Sequence, residues 1–117
     1  LVLWEATHSA HIDWLFDELK FIESENAYLR TKRISYLLSP QMINELKTID
    51  CDALIRKLDL PVLIVSADEG NQPAVARQYF EAATDPKKLA IIPDSDHMFS
   101  INYSLQGLID ETMSWLS

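Results

Sequence analysis

The sequence is poor in the residues that build several common kinds of site. Cys51 is the single cysteine among 117 residues, which excludes an intrachain disulfide framework and a cysteine-based zinc site. No apolar run approaches the roughly 18 residues of a membrane-spanning helix. Lys and Arg number 10 against 18 Asp and Glu, and the net charge of −8 argues against a nucleic-acid partner, because phosphate binding draws its affinity from basic residues.

Glycine is almost as scarce as cysteine. Gly70 and Gly107 are the two glycines of the chain, and no Gly-x-Ser-x-Gly sequence occurs. The sharp strand-to-helix turn that exposes a catalytic serine needs small residues on both sides of it. The sequence therefore contains no recognisable turn of this kind, and no serine lies between a strand and a glycine-rich helix start.

Short apolar runs alternate with helical patterns along the chain. Strands are predicted at residues 1–4, 60–65 and 89–92, and amphipathic helices from about residue 9 to 22, from 40 to 49, from 52 to 58, from 71 to 84 and from about 102. Strands that alternate with helices imply a parallel sheet with right-handed crossovers. The predicted fold class is α/β, with a partial parallel sheet of about three strands and flanking helices.

A sheet of three strands leaves both of its edges unpaired, which a stable soluble domain normally avoids. We therefore expect this sheet to pair with more sheet, supplied either by a missing part of the protein or by a second copy.

Ionisable side chains follow two of the predicted strands. Asp68 and Glu69 come after residues 60–65, and His97 follows residues 89–92 in a loop with Asp94 and Asp96. Loops that leave the carboxyl edge of a parallel sheet converge in space. A neutral imidazole near a carboxylate suits a general base acting on a hydroxyl or thiol nucleophile. A surface histidine in a turn is the alternative, and spacing alone does not separate the two.

The second half of the chain resembles the carboxyl-terminal part of an α/β-hydrolase. The resemblance rests on residues 58–65 (LDLPVLIV), residues 88–100 (KLAIIPDSDHMFS) and a closing helix that ends at Trp115-Leu116. It implies that residues 1–8 are a core strand and its loop, residues 9–57 a helical cap-like segment, and residues 58–117 the C-terminal half of the hydrolase core.

The resemblance also implies catalytic roles. His97 matches the histidine of a nucleophile–acid–histidine triad. The family's usual acid position falls on Gly70. Asp68 lies two residues before it and is the first candidate for the acid, and Glu69, one residue before it, is the second. Some members carry the acid after the preceding strand, which makes Glu5 a third candidate. Chain order in the family puts the serine nucleophile, and the oxyanion-hole amides with it, before Leu1.

Two functions follow as expectations. The first is a hydrolase of small-molecule ester, thioester or similar acyl bonds, cytoplasmic and without a cofactor, in which residues 1–117 alone are inactive. The second is a non-catalytic binding or interaction module on a hydrolase-like scaffold, favoured by the displaced acid and the missing nucleophile. His8, His11 and Asp13 could hold a metal, but polar residues of a cap region are the preferred interpretation, and no metal site is expected.

Overall fold

The computed structural model describes residues 1–31 and 35–117. Its strands and α-helices, in chain order, are β1 (Val2–Trp4), β2 (Lys20–Ile22), β3 (Ala27–Arg30), β4 (Tyr36–Leu38), α1 (Pro40–Thr48), α2 (Cys51–Arg56), β5 (Val62–Ala67), α3 (Gln72–Ala82), β6 (Lys87–Ile92) and α4 (Ser104–Leu116). The described residues divide into two compact units, one made of residues 1–8 and 51–117 and the other of residues 9–50.

The first unit contains a three-stranded parallel sheet in the order β1-β5-β6. Leu3 pairs with Ile64 across one side of β5, and Ile64 pairs with Leu89 across the other. All six residues of β5 are buried because helices cover both faces of this central strand. The predicted α/β class, with a three-stranded parallel sheet and flanking helices, is confirmed.

Successive side chains of β5 point to opposite faces of the sheet and enter two different parts of the core. Ile64 belongs to a buried cluster that includes Ile55 of α2 and Tyr79 of α3. Leu63, fully buried, belongs to a second cluster that includes Leu108 of α4. The carboxyl end of β5 is therefore held from both sides, which fixes the position of the loops that leave this edge.

The closing helix α4 buries a narrower face than its sequence indicates. The amphipathic pattern predicts an inward stripe made of Leu105, Leu108, Ile109, Thr112, Trp115 and Leu116. Leu108 and Thr112 are buried and Trp115 is half-buried, but the other three are exposed. The indole Nε1 of Trp4 donates to Thr112 Oγ1 at 3.1 Å and turns that side of α4 toward the sheet. The three-stranded sheet is too narrow to cover Leu105, Ile109 and Leu116 of α4 as well.

The second unit differs from its prediction. The helix expected from residue 9 to 22 is wrong: Ser9–His11 and Asp13–Leu15 are single 3-10 turns, and residues 20–22 form β2 in an antiparallel sheet β2-β3-β4. Glu18 has a φ of +61°, a left-handed conformation that an α-helix does not accommodate. The backbone hydrogen bonds that a helix would have made are formed instead between β2 and β3, where Phe21 pairs with Tyr28.

Two further predictions concern the borders of this unit. The polar composition of residues 23–33 predicts a loop or a weakly anchored helix, but Ala27–Arg30 is a strand; residues 32–34 lie outside the described part of the chain. Ser39-Pro40 predicts a helix start, which is confirmed: the Ser39 hydroxyl caps α1 by accepting from Met42 N at 3.0 Å. The cap-like segment is expected over residues 9–57, whereas the second compact unit spans residues 9–50. The difference is helix α2, which packs its Ile55 into the core beside β5 and so belongs to the first unit.

Candidate active site

Three loops leave the sheet at its carboxyl edge, one from each parallel strand. Glu5 follows β1, Asp68 and Glu69 follow β5, and residues 93–103 follow β6 and contain His97. The strands are parallel, so these loops start from the same edge and their side chains can meet there.

The Glu5 carboxylate lies under the imidazole of His97. Its Oε2 is 3.0 Å from His97 Nδ1, and its Oε1 accepts a hydrogen bond from the backbone N–H of Ala67. The Glu5 side chain is 7% exposed. β1 and β6 are separated by β5, about 10 Å apart as next-nearest strands, so the long Glu5 side chain crosses the end of β5 to reach the loop of β6.

The His97 side chain is 53% exposed to solvent. A hydrogen on Nδ1 donates to Glu5, and that hydrogen bond selects the tautomer in which Nε2 keeps its lone pair. Nε2 can then take a proton from a hydroxyl that reaches it. The pair thus has the arrangement of a general base oriented by a buried carboxylate.

The loop that carries His97 is fixed by its own hydrogen bonds. Phe99 has a φ of +53°, is buried in the core, and donates its N–H to Asp96 O at 2.9 Å. The Asp96 carboxylate accepts from both the N–H and the hydroxyl of Ser100. These hydrogen bonds from Ser100 hold the pKa of Asp96 below its ordinary value. Phe99 packs beneath the loop as the sequence predicts, whereas Met98 is 73% exposed.

The three candidate acids occupy different positions around His97. Asp68 is exposed, and its backbone N–H continues the ladder to Ile92 O at 3.1 Å. Glu69 is also exposed and reaches the loop, where its Oε2 accepts from the backbone N–H of His97 at 2.7 Å. Glu5 contacts the ring itself. Its sequence signal is an acidic residue directly after a neighbouring parallel strand, a weaker signal than two acids close to the family position.

Serine hydroxyls near this edge are engaged locally. Ser66 is buried and donates to Ala67 O at 2.9 Å, and Ser95 donates to Asp96 O at 3.1 Å. Ser100 donates to the Asp96 carboxylate. These hydroxyls donate to the loop backbone or to the Asp96 carboxylate.

His8 and His11 belong to different compact units of the described structure. His8 lies in the first unit, 2% exposed, with its Nε2 2.7 Å from Asp52 Oδ1, whereas His11 belongs to the second unit. Within residues 1–31 and 35–117, no group of three His, Cys, Asp or Glu side chains could hold a metal ion. None of the helices in these ranges is long and apolar enough to cross a membrane.

The His8–Asp52 contact predicts a pH-dependent contribution to stability. The hydrogen bond to His8 is the main cause that lowers the pKa of Asp52 below its ordinary value in the folded protein. A carboxyl with a lowered folded pKa stabilises the fold above its unfolded pKa of about 3.9, and this contribution is lost as the pH falls through the folded value. Asp52→Asn should reduce the free energy of unfolding at pH 7 by about 1 kcal/mol, a small effect because Asp52 is partly exposed.

Urea denaturation at pH 7 and at pH 3 measures this contribution. The difference between the wild type and Asp52→Asn should shrink at the lower pH, and Asp17→Asn, which removes an exposed carboxylate of the second unit, should change little at either pH. A difference that grows at pH 3 would contradict the assignment.

Comparisons with known proteins concern the fold. No protein-family model matches the chain, and no curated protein is significantly similar to it in sequence. Among solved structures, the esterase domain of a Rhodothermus marinus protein is similar, with a TM-score of 0.69 and 16% sequence identity. The two chains share a fold. The match covers 97% of this chain and 50% of the other, so this chain spans half the length of that esterase chain.

Proposed function

We propose that this chain is part of an enzyme that hydrolyses ester, thioester or similar acyl bonds, with His97 as its general base and Glu5 as the acid that orients it. The single observation that carries the proposal is the contact between the buried Glu5 carboxylate and His97 Nδ1 at 3.0 Å. The similar fold of an esterase domain supports a hydrolase-like scaffold. The pair in this chain lies at the carboxyl edge of the parallel sheet, where α/β proteins usually bind their ligands.

The chemistry that this pair can perform is acyl transfer through a hydroxyl nucleophile. His97 Nε2 takes the proton of the hydroxyl as its oxygen attacks the acyl carbonyl, and the imidazolium then gives that proton to the leaving alcohol or thiol. The Glu5 carboxylate stabilises the imidazolium and keeps the ring in the required tautomer. Water takes the place of the nucleophile in a second cycle of the same proton transfers and releases the acid product.

The nucleophile in this proposal is a serine outside residues 1–117. Residues 58–117 then correspond to the C-terminal half of a hydrolase core, and residues 1–117 alone are inactive. We further propose that the additional sheet pairs along the outer side of β1, from another part of the protein or a second copy. β1 is an edge strand of the described sheet, and Leu1 and Trp4 along it are about half exposed.

The alternative is a binding module without catalysis, which two sequence features favour: the displaced acid and the missing nucleophile. The first feature is the absence of an acid at the expected position, which Gly70 occupies. The contact between the Glu5 carboxylate and His97 speaks against that argument, because it brings a carboxylate to the histidine from the loop after β1. The missing nucleophile remains its support, so an experiment on the nucleophile separates the two functions.

A fluorophosphonate probe tests the proposal directly. Such probes phosphonylate a serine only where a neighbouring base activates its hydroxyl. The natural full-length protein should be labelled once, on a serine that peptide mass spectrometry locates outside residues 1–117, and heat denaturation should abolish the labelling. Absence of labelling in the folded protein, together with no turnover of nitrophenyl esters, would favour the binding module.

A further inference from the structure

The loop of residues 5–8 holds Glu5 in a conformation that it would not adopt by itself. Glu5 has a φ of +47°, in the left-handed region that is unfavourable for residues other than glycine. Its backbone N–H is tied to β5 through Val65 O at 3.1 Å. The other end of the loop needs its own restraint if the carboxylate is to stay at His97.

The phenol of Tyr79 provides one restraint on that end. Tyr79 projects from α3, is 8% exposed, and donates its hydroxyl to the backbone oxygen of Thr7 at 2.6 Å. Burial is the main cause that raises the pKa of Tyr79, so the phenol keeps its proton and remains a donor throughout the neutral pH range.

The side chain of His8 provides the second restraint. It is 2% exposed, and its Nε2 lies 2.7 Å from Asp52 Oδ1 at the start of α2. Its ring meets the ring of Tyr79 edge-on, with centroids 4.6 Å apart. Gln78 Nε2 donates to the other Asp52 oxygen at 3.4 Å. Two helices thus hold two consecutive residues of the loop.

The proton transfers described above do not use Tyr79, His8 or Asp52. Both restraints act on the loop of residues 5–8, which follows β1 and carries Glu5. We propose that Tyr79 and the His8–Asp52 pair are positioning residues of the site, which hold the residue 5–8 loop so that the Glu5 carboxylate stays against His97 Nδ1. The inference rests on the proposed function for its catalytic consequence but not for its structural content.

Tyr79→Phe tests the inference because it removes one hydroxyl and keeps the ring against His8. Tyr103→Phe makes the same chemical change at a side chain that is 93% exposed and is the matched control. In the natural full-length protein, ¹⁵N NMR of the imidazoles should show a smaller Nδ1-protonated fraction of His97 in Tyr79→Phe and no change in Tyr103→Phe. Ester turnover should fall about 10–100-fold in kcat with KM nearly unchanged, as is typical when a supporting hydrogen bond is lost.

An unchanged His97 spectrum in folded Tyr79→Phe would overturn the inference, even if the melting temperature fell, because the hydroxyl would then only stabilise the fold. If Tyr79→Phe does not fold, Asp52→Asn gives the same test from the second restraint, with the same expected change in the His97 spectrum. The NMR measurement needs no turnover, so it can succeed in a protein without esterase activity. Loss of the proposed function is therefore distinguishable from loss of the positioning role.

Discussion

Glu5→Gln should lower kcat for ester hydrolysis by about 10³–10⁴-fold, the loss typical when the acid of a triad becomes an amide. The glutamine side chain has the same length and can cross the end of β5 as Glu5 does. It carries no negative charge to stabilise the His97 imidazolium, and its amide nitrogen can donate to Nδ1 and select the wrong tautomer. The measurement is kcat in the natural full-length protein with a short-chain nitrophenyl ester.

Two variants at the end of β5 make this result specific. Glu69→Gln keeps an oxygen that can accept from the backbone N–H of His97, so it should cost about tenfold or less. Asp68→Asn changes an exposed carboxylate away from the ring and should have little effect. If either variant lost about 10³-fold while Glu5→Gln did not, the acid would lie after β5 and our assignment would be wrong.

His97→Gln should have a larger effect than Glu5→Gln, a loss of about 10⁴-fold or more in kcat, because the glutamine amide cannot accept the nucleophile's proton. The same variant should lose fluorophosphonate labelling. His11→Gln makes the same chemical change at a histidine that the proposed mechanism does not use, and it should retain both ester turnover and fluorophosphonate labelling.

Turnover by His97→Gln within about tenfold of the wild type would exclude His97 as the base. The two substitutions should also be non-additive, because Glu5 acts through His97: the double variant should be about as slow as His97→Gln alone. Independent, additive losses would mean that Glu5 contributes to the fold and not to the triad.

Several elements were predictable from the sequence because their signals are local. The apolar runs that became β5 and β6 are bounded by turn residues, and Ser39-Pro40 marks the start of α1 with its own side-chain cap. His97 is a candidate from the sequence because the strand, the acidic loop and the following aromatic residue all lie within a few positions of it.

Local signals failed where tertiary contacts compete with them. The spacing of Ile12, Leu15, Phe16, Leu19 and Ile22 fits a helix, and these side chains are indeed less exposed than most of their neighbours. The backbone nevertheless turns at Glu18, and the residues after it pair with β3. Strand pairing provides hydrogen-bond partners for the backbone N–H and C=O groups, whereas the ends of a short, uncapped helix would leave some of these groups unpaired. A periodic pattern identifies which residues face inward, not which backbone conformation turns them inward.

The sequence by itself determined the α/β class, the parallel sheet and the position of the histidine, since each follows from patterns within a short window. Only the tertiary structure decided which carboxylate meets that histidine. Glu5 and His97 are 92 positions apart, and they meet because β5 aligns the carboxyl ends of β1 and β6 at one edge. Glu5 reaches across the end of β5 to the ring of His97. Glu69 has the same side chain and is nearer in sequence, but it accepts from the backbone N–H of His97 instead.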